Sequence, residues 1–218
     1  MERLKLGVLI SGRGSNLQAL IDACSKADAP AKIGLIISNE PRAEGLSRAL
    51  KAGIPSVVIP HSKYKSRESF EKAITEELTS AKIELVCLAG FMRILTKSFV
   101  NFWHNKLINI HPSLLPAYKG LDTHSRVIAD GVRISGCTVH YVRSEVDAGP
   151  IIVQAAVPVL SDDTPNSLSK RILKVEHDCY PLAINLIAKG QAKISGDHVT
   201  IKQKILSPKH IINPDFCD

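Results

Sequence analysis

Aromatic residues are scarce, at 5% of 218 residues, and the 28 lysines and arginines never gather into a run of five or six. Both absences weigh against a nucleic-acid surface, which needs stacking platforms or a basic stripe. The five cysteines (Cys24, Cys87, Cys137, Cys179 and Cys217) are scattered, odd in number and contain no C-x-x-C. A disulfide framework and a zinc site are disfavoured, and a reducing, cytoplasmic setting is expected. No apolar run reaches membrane-spanning length, so no membrane partner is expected. G-x-S-x-G, H-E-x-x-H and Gly-Lys-Ser/Thr are all missing, which leaves serine-hydrolase, zinc-protease and P-loop chemistry without a motif, and the remaining histidines are not at metal-ligand spacing. What remains is a chain of ordinary hydrophobicity, 44%, with a net charge of +7. That charge suits either a solvated basic surface or small, multiply anionic substrates.

Strand and helix periodicities alternate through the first half. Apolar runs at Leu4 to Ile10, Ile33 to Ser38, Ile54 to Ile59, Ile83 to Ala89 and Leu107 to Ile110 read as strands. Helical segments are expected from Asn16, from Pro41 to near Gly53, over Ser66 to Ala81, and over Thr96 to Trp103. This order predicts an α/β fold with a single doubly wound, mostly parallel sheet. The second half differs. Gly136 to Val142 and Pro150 to Val157 are joined by a loop too short for a helical crossover, so they predict antiparallel strands. Thr164-Pro165 then opens the longest helix, with Leu168, Ile172, Val175, Cys179, Leu182 and Leu186 as its apolar face, a kink expected at Pro181 and a stop at Gly190. A terminal hairpin over Gly196-Asp197 and a surface tail from about Pro208 complete one domain, residues 1–218, with a core of about 5–190.

Four places carry candidate chemistry. Asn109 and His111 are two positions apart at a strand end, hence on one face, with Pro112 barring a helix there. An amide N–H steadies an oxyanion and an imidazole moves a proton. A capping Asn and an exposed loop His would look the same locally. The turn Gly12-Arg13-Gly14-Ser15-Asn16 lies between a strand and a helix, where backbone N–H groups meet an anion. It fails the dinucleotide fingerprint at Leu17, so a phosphate monoester fits better than NAD or ATP, and an ordinary tight turn remains open. Met92-Arg93-Ile94-Leu95 follows a strand end, where open α/β sheets bind ligands, and suits a flat heterocycle with an anionic tail. Asp147, 36 positions after His111, precedes Gly-Pro and is on local grounds a turn former. His140 inside its strand reads as a core or site-rim residue, and Arg67, Glu176 and His177 as solvated or ligand-reaching side chains.

Taken in order, S-G-x-G-S-N at 11–16, A-G-F-M-R-I-L at 89–95, N-I-H-P-S-L-L-P at 109–116, V-D-x-G-P at 146–150 and E-H-x-x-Y-P at 176–181 closely resemble the phosphoribosylglycinamide formyltransferases, folate-dependent enzymes of purine synthesis. The resemblance implies a Rossmann-like formyltransferase fold. It implies formyl transfer from 10-formyltetrahydrofolate to the amine of 5-phosphoribosylglycinamide, without a metal, by a monomer or homodimer. Position by position it implies Asn109, His111 and Asp147 as catalytic, with His111 held protonated by Asp147. It implies Gly14, Ser15, Asn16 and Glu176 as ribonucleotide-binding, and Arg67, Met92, Arg93, Ile94, Leu95 and Asn109 as folate-binding, with the loop Arg143 to Asp147 beside them. A formyltetrahydrofolate deformylase or a non-catalytic folate- or nucleotide-binding protein would share parts of this pattern.

Overall fold

The computed structural model describes residues 2–202, and the expected surface tail from Pro208 lies outside them. Strands β1 (Leu4–Ile10), β2 (Ala31–Ser38), β3 (Ser56–Val58), β4 (Leu85–Leu88), β5 (Leu107–His111), β6 (Ile134–Tyr141) and β7 (Ile151–Pro158) form one sheet in the order β3-β2-β1-β4-β5-β6-β7. The first five pair in parallel, and β5–β6 and β6–β7 are antiparallel, as the short loop before Pro150 requires. The chain winds outward from β1 to β3, then returns to β4 on the other side of β1. The β1/β4 boundary is therefore the switch point where such sheets open a crevice at the strand C-termini. β8 (Ala192–Ser195) and β9 (His198–Ile201) make the terminal hairpin.

Alternation along the strands splits the core in two. Leu6, Val8, Ile10, Ile108 and Ile110 face α1 (Ser15–Cys24), α2 (Gly45–Lys51), α5 (Thr123–Ala129) and α6 (Pro165–Ala188). Leu9, Ile37, Val86 and Leu107 face α3 (Arg67–Ser80) and α4 (Lys97–Phe102). A side chain at Gly7 would sit 2.5 Å from Leu78, so the missing Cβ lets α3 lie against β1. Burying each of these leucines and isoleucines is worth roughly 1.5–3 kcal/mol.

Three sequence expectations are corrected, and one helix goes beyond them. Pro41 does not open a helix: Glu40 to Ala43 is a turn, and α2 starts at Gly45, whose N–H is taken by the Gly12 carbonyl. The third strand is only three residues long at the sheet edge, and α5 carries no periodicity that the sequence reading picked out. α6 contains Pro181 within its 24 residues. Its buried stripe is turned toward Glu176, Tyr180 and Ala183, which leaves Leu182 48% exposed. The reason is the Tyr180 hydroxyl, which donates to the carbonyls of Leu88 (3.0 Å) and Ile108 (3.3 Å) and pins that face of the helix to the centre of the sheet.

Candidate active site

The C-terminal ends of β1, β4 and β5 lie side by side, because Leu9 pairs with Leu88 and Leu88 with Asn109. All three polar turns of interest leave from this edge. Ser11 ties two of them together: its N–H donates to the Gly90 carbonyl (3.2 Å), and its hydroxyl accepts from Met92 N–H (2.8 Å).

On β5, Leu107 is buried under the α3–α4 cluster, and Asn109 and His111 continue the same face beyond that apolar cover. The antiparallel register sets Asn109 directly opposite His140. The His140 Nδ1 lies 2.9 Å from the Tyr141 carbonyl, an acceptor only, so Nδ1 carries a proton, and in that tautomer Nε2 is the acceptor. Asn109 Nδ2 donates to that Nε2 at 3.4 Å, which fixes the amide with a second N–H to spare. Asp147 sits between the two histidines, Oδ2 at 3.3 Å from His111 Nδ1 and Oδ1 at 3.7 Å from His140 Nε2, and accepts from Gly120 N–H at 2.9 Å. Burial by itself would raise the Asp147 pKa. The His140 imidazole, the Gly120 N–H and the charge of His111 outweigh it and hold the carboxyl below its usual value. The aspartate is a carboxylate at neutral pH.

His111 departs from expectation. Burial is the largest influence on it and lowers its pKa below the ordinary imidazole value, against the Tyr118 carbonyl and Asp147, which pull upward. That direction runs against a ring held protonated at rest by Asp147. The His111 Nε2 donates to the Tyr118 carbonyl at 2.9 Å, and its Nδ1 lone pair then faces the Asp147 carboxylate. Both nitrogens meet acceptors, so added negative charge nearby favours a second proton on this ring.

At the β1–α1 turn, Gly14 adopts φ 70° as the residue before the helix, and Ser15 and Asn16 begin it. Asn16 is buried and donates from Nδ2 to Glu176 Oε2 at 2.7 Å, while its Oδ1 is buried with no partner among the described residues. Glu176, one turn before Tyr180 on α6, is buried rather than solvent-facing, and that burial raises its pKa, with Asn16 opposing. Residues 16 and 176 are thus brought together across 160 positions.

The remaining sites are more open. Met92 and Ile94 are 71% and 68% exposed, Arg93 and Arg67 are exposed, and Leu95 is half-buried. Large exposed apolar side chains beside a crevice mark a ligand surface. Arg67 lies one turn before Glu71 on α3, and the buried Glu71 carboxylate accepts from the backbone N–H (2.8 Å) and the hydroxyl of Thr96, which fixes the far end of the 92–95 loop. The Arg143–Asp147 loop is joined to residues 118–120 by Lys119–Glu145 (2.9 Å) as well as by Asp147. Sequence reasoning did not find Tyr118, Gly120 or Glu71 and left His140 at the rim. Only His140 left a trace, sharing a strand face with Thr138. Among the described residues no helix is long and apolar enough to cross a membrane, and no cluster of three metal-ligating side chains is present.

Residues 4–184 match the formyl transferase family. The chain is 42% identical to the phosphoribosylglycinamide formyltransferase of Haemophilus influenzae over 93% of its own length and 95% of that protein. It superimposes on the crystal structure of glycinamide ribonucleotide transformylase 1 from Symbiobacterium toebii with a TM-score of 0.90, at 45% identity, covering 92% and 95% of the two chains. It is 50% identical to the chicken trifunctional purine biosynthetic protein adenosine-3 over 88% of its length, and spans only 19% of that larger protein. The strand-end crevice, the turn at residues 12–16 and the Asn109–His111–Asp147 grouping thus occur in a chain that belongs to the formyl transferase family, among its phosphoribosylglycinamide formyltransferases.

Proposed function

We propose that the chain transfers the formyl group of 10-formyltetrahydrofolate to the amine of 5-phosphoribosylglycinamide, a step of purine biosynthesis. The observation that carries this reading is the convergence of Asn109, His111, His140 and Asp147 at one strand end. The anion-type turn after β1 and the exposed apolar loop after β4 leave from the same sheet edge as that cluster. Gly14, Ser15 and Asn16 take the ribonucleotide phosphate, and Glu176 takes the ribose. Met92, Ile94 and Leu95 cover the folate ring system, and Arg67 and Arg93 meet its anionic tail. The two apolar clusters share one sheet, which supports reading the described residues as a single domain. Cys24, Cys87, Cys137 and Cys179 are free thiols, which supports a cytoplasmic location.

The substrate amine attacks the formyl carbon, and the C=O electron pair moves to oxygen. Asn109 supplies the N–H that His140 leaves unused, and His111, protonated through Asp147 with the proton of the attacking nitrogen, supplies a second donor to the oxyanion. Asp147, a carboxylate at rest, accepts the proton lost by the attacking nitrogen, directly or through water. Collapse expels the folate nitrogen, which takes that proton back from His111 and leaves the formyl group on the acceptor. No bond to the enzyme forms. The test is release of the deformylated folate, followed by absorbance, with and without the ribonucleotide. Release only when both are present is the expected result. Release without the ribonucleotide would mean a hydrolase, and no release in either case a binding protein.

A further inference from the structure

The β1–α1 turn is held from behind by α2. A side chain at Gly14 would lie 2.7 Å from Gly45 Cα, so the two backbones touch. At this distance three successive carbonyls of the turn each find a donor. Gly12 O accepts from Gly45 N–H (3.1 Å), Arg13 O from the guanidinium Nε of Arg48 (3.0 Å), and Gly14 O from Gln18 N–H (2.9 Å). Arg48 is itself braced, its Nη1 donating to Gln18 Oε1 at 3.1 Å.

In a planar trans peptide the N–H of the following residue points opposite to the carbonyl. Anchoring the carbonyls of residues 12 and 13 on α2 therefore turns the N–H groups of Arg13 and Gly14 away from α2, and the Gly14 carbonyl, held by Gln18 of α1, turns the Ser15 N–H out from the start of that helix. Three such N–H groups in sequence form a concave anion site. The middle peptide is the vulnerable one. It joins Arg13 to a glycine, which takes positive and negative φ with equal ease, so this unit can flip and present a carbonyl oxygen to the anion instead. The Arg13 carbonyl is held by a side chain, whereas its two neighbours are held by backbone.

We propose that Arg48 is a positioning residue for the acceptor's phosphate: it locks the Arg13–Gly14 peptide with its N–H turned toward the anion. It acts through the turn and does not touch the substrate. The inference rests on the reading of residues 14–16 as the phosphate site.

The experiment is steady-state kinetics of the full chain with phosphoribosylglycinamide and with the same acceptor lacking its phosphate. Arg48→Ala is expected to raise the KM for the phosphorylated acceptor about tenfold, the factor that roughly 1.4 kcal/mol represents. It should leave kcat and the KM for the folate unchanged and have no effect on the dephosphorylated acceptor. Arg48→Lys, which keeps one cationic donor, should recover part of the loss. Arg48→Met keeps the stem and removes only the donors, and it serves if Arg48→Ala does not fold. An unchanged preference for the phosphorylated acceptor in the Met or Ala variant overturns the role of Arg48 alone. An equal loss with both acceptors also overturns it, because the effect is then general destabilisation. If the wild-type protein itself does not prefer the phosphorylated acceptor, the phosphate-site reading falls and Arg48 falls with it.

Discussion

The anion turn at residues 12–16 and the cluster around Asp147 open on the same edge of the sheet, yet they are made of different material. The turn is backbone: its work is done by N–H groups whose direction is set by φ 70° at Gly14 and by carbonyls held from α1 and α2. The cluster is side chains, drawn from β5, β6 and the loop after β6, and its geometry depends on the Asn109–His140 register and on one carboxylate between two imidazoles. A backbone site depends on conformation and tolerates changes of side chain that leave conformation alone. A side-chain site depends on identity, and one atom changed in it alters the charge of its neighbours.

The largest losses are expected at the cluster. Asn109→Ala and His111→Ala are each expected to lower kcat by about 10²–10³, the usual cost of one oxyanion donor, with thermal unfolding close to wild type. Asp147→Asn is the sharper test, because its volume is nearly unchanged. The carboxylate raises the His111 pKa against burial, so removing it lowers that pKa further. Protonated His111 then becomes available only at lower pH, and the alkaline limb of the kcat profile should move to lower pH along with the loss in rate. A rate loss with the alkaline limb unmoved would mean that Asp147 does not act through His111.

At the turn, side chains should matter only through conformation, and two glycines of one loop separate the cases. Gly12 has open space where a Cβ would stand, and its φ is not positive. Gly12→Ala is expected to leave the KM for the ribonucleotide within about twofold, as for an unstrained surface change. Gly14→Ala adds a Cβ to a left-handed residue, at about 1–2 kcal/mol, and forces it to within 2.7 Å of Gly45 Cα. Its KM for the ribonucleotide should rise by tenfold or more, with kcat much less affected. Equal behaviour of the two variants would remove the backbone account of this turn.

The same contrast explains what could be read from the chain. β1, β2, β4 and β5, the antiparallel pair and the Thr164-Pro165 start of α6 follow local rules of period, capping and loop length, and they stand where those rules put them. The anion turn was legible because it is contiguous. Asp147 was not: taken alone it reads as a turn former, and only the winding of β6 brings it to His111. Tyr118 and Gly120 act through backbone atoms, which any residue type supplies, so no sequence pattern marks them. Leu182 was misassigned because the α6 stripe is turned by the buried hydroxyl of Tyr180, a tertiary anchor invisible to helical periodicity.

Glu176 lies where the two kinds of site meet, a buried side chain hydrogen-bonded to the first turn of α1. Its pKa is raised by burial, so the folded protein binds this proton more tightly than the unfolded chain does. For a raised carboxyl the stabilising contribution is complete below the unfolded value of about 4.3 and is lost as pH rises through the folded value. At neutral pH the ionised group is thus a cost to folding, tolerated for ligand binding. Glu176→Gln keeps an acceptor for Asn16 Nδ2 and removes the buried charge. It is expected to raise stability at pH 7 by about 1 kcal/mol, in the range of other functionally costly stabilisations. That gain should shrink at acidic pH, as the native carboxyl takes up its proton. The same variant should bind the ribonucleotide more weakly. Thermal melts at both pH values together with the ribonucleotide KM decide it. A stability gain independent of pH would mean that packing, rather than the charge of Glu176, is what burial there opposes.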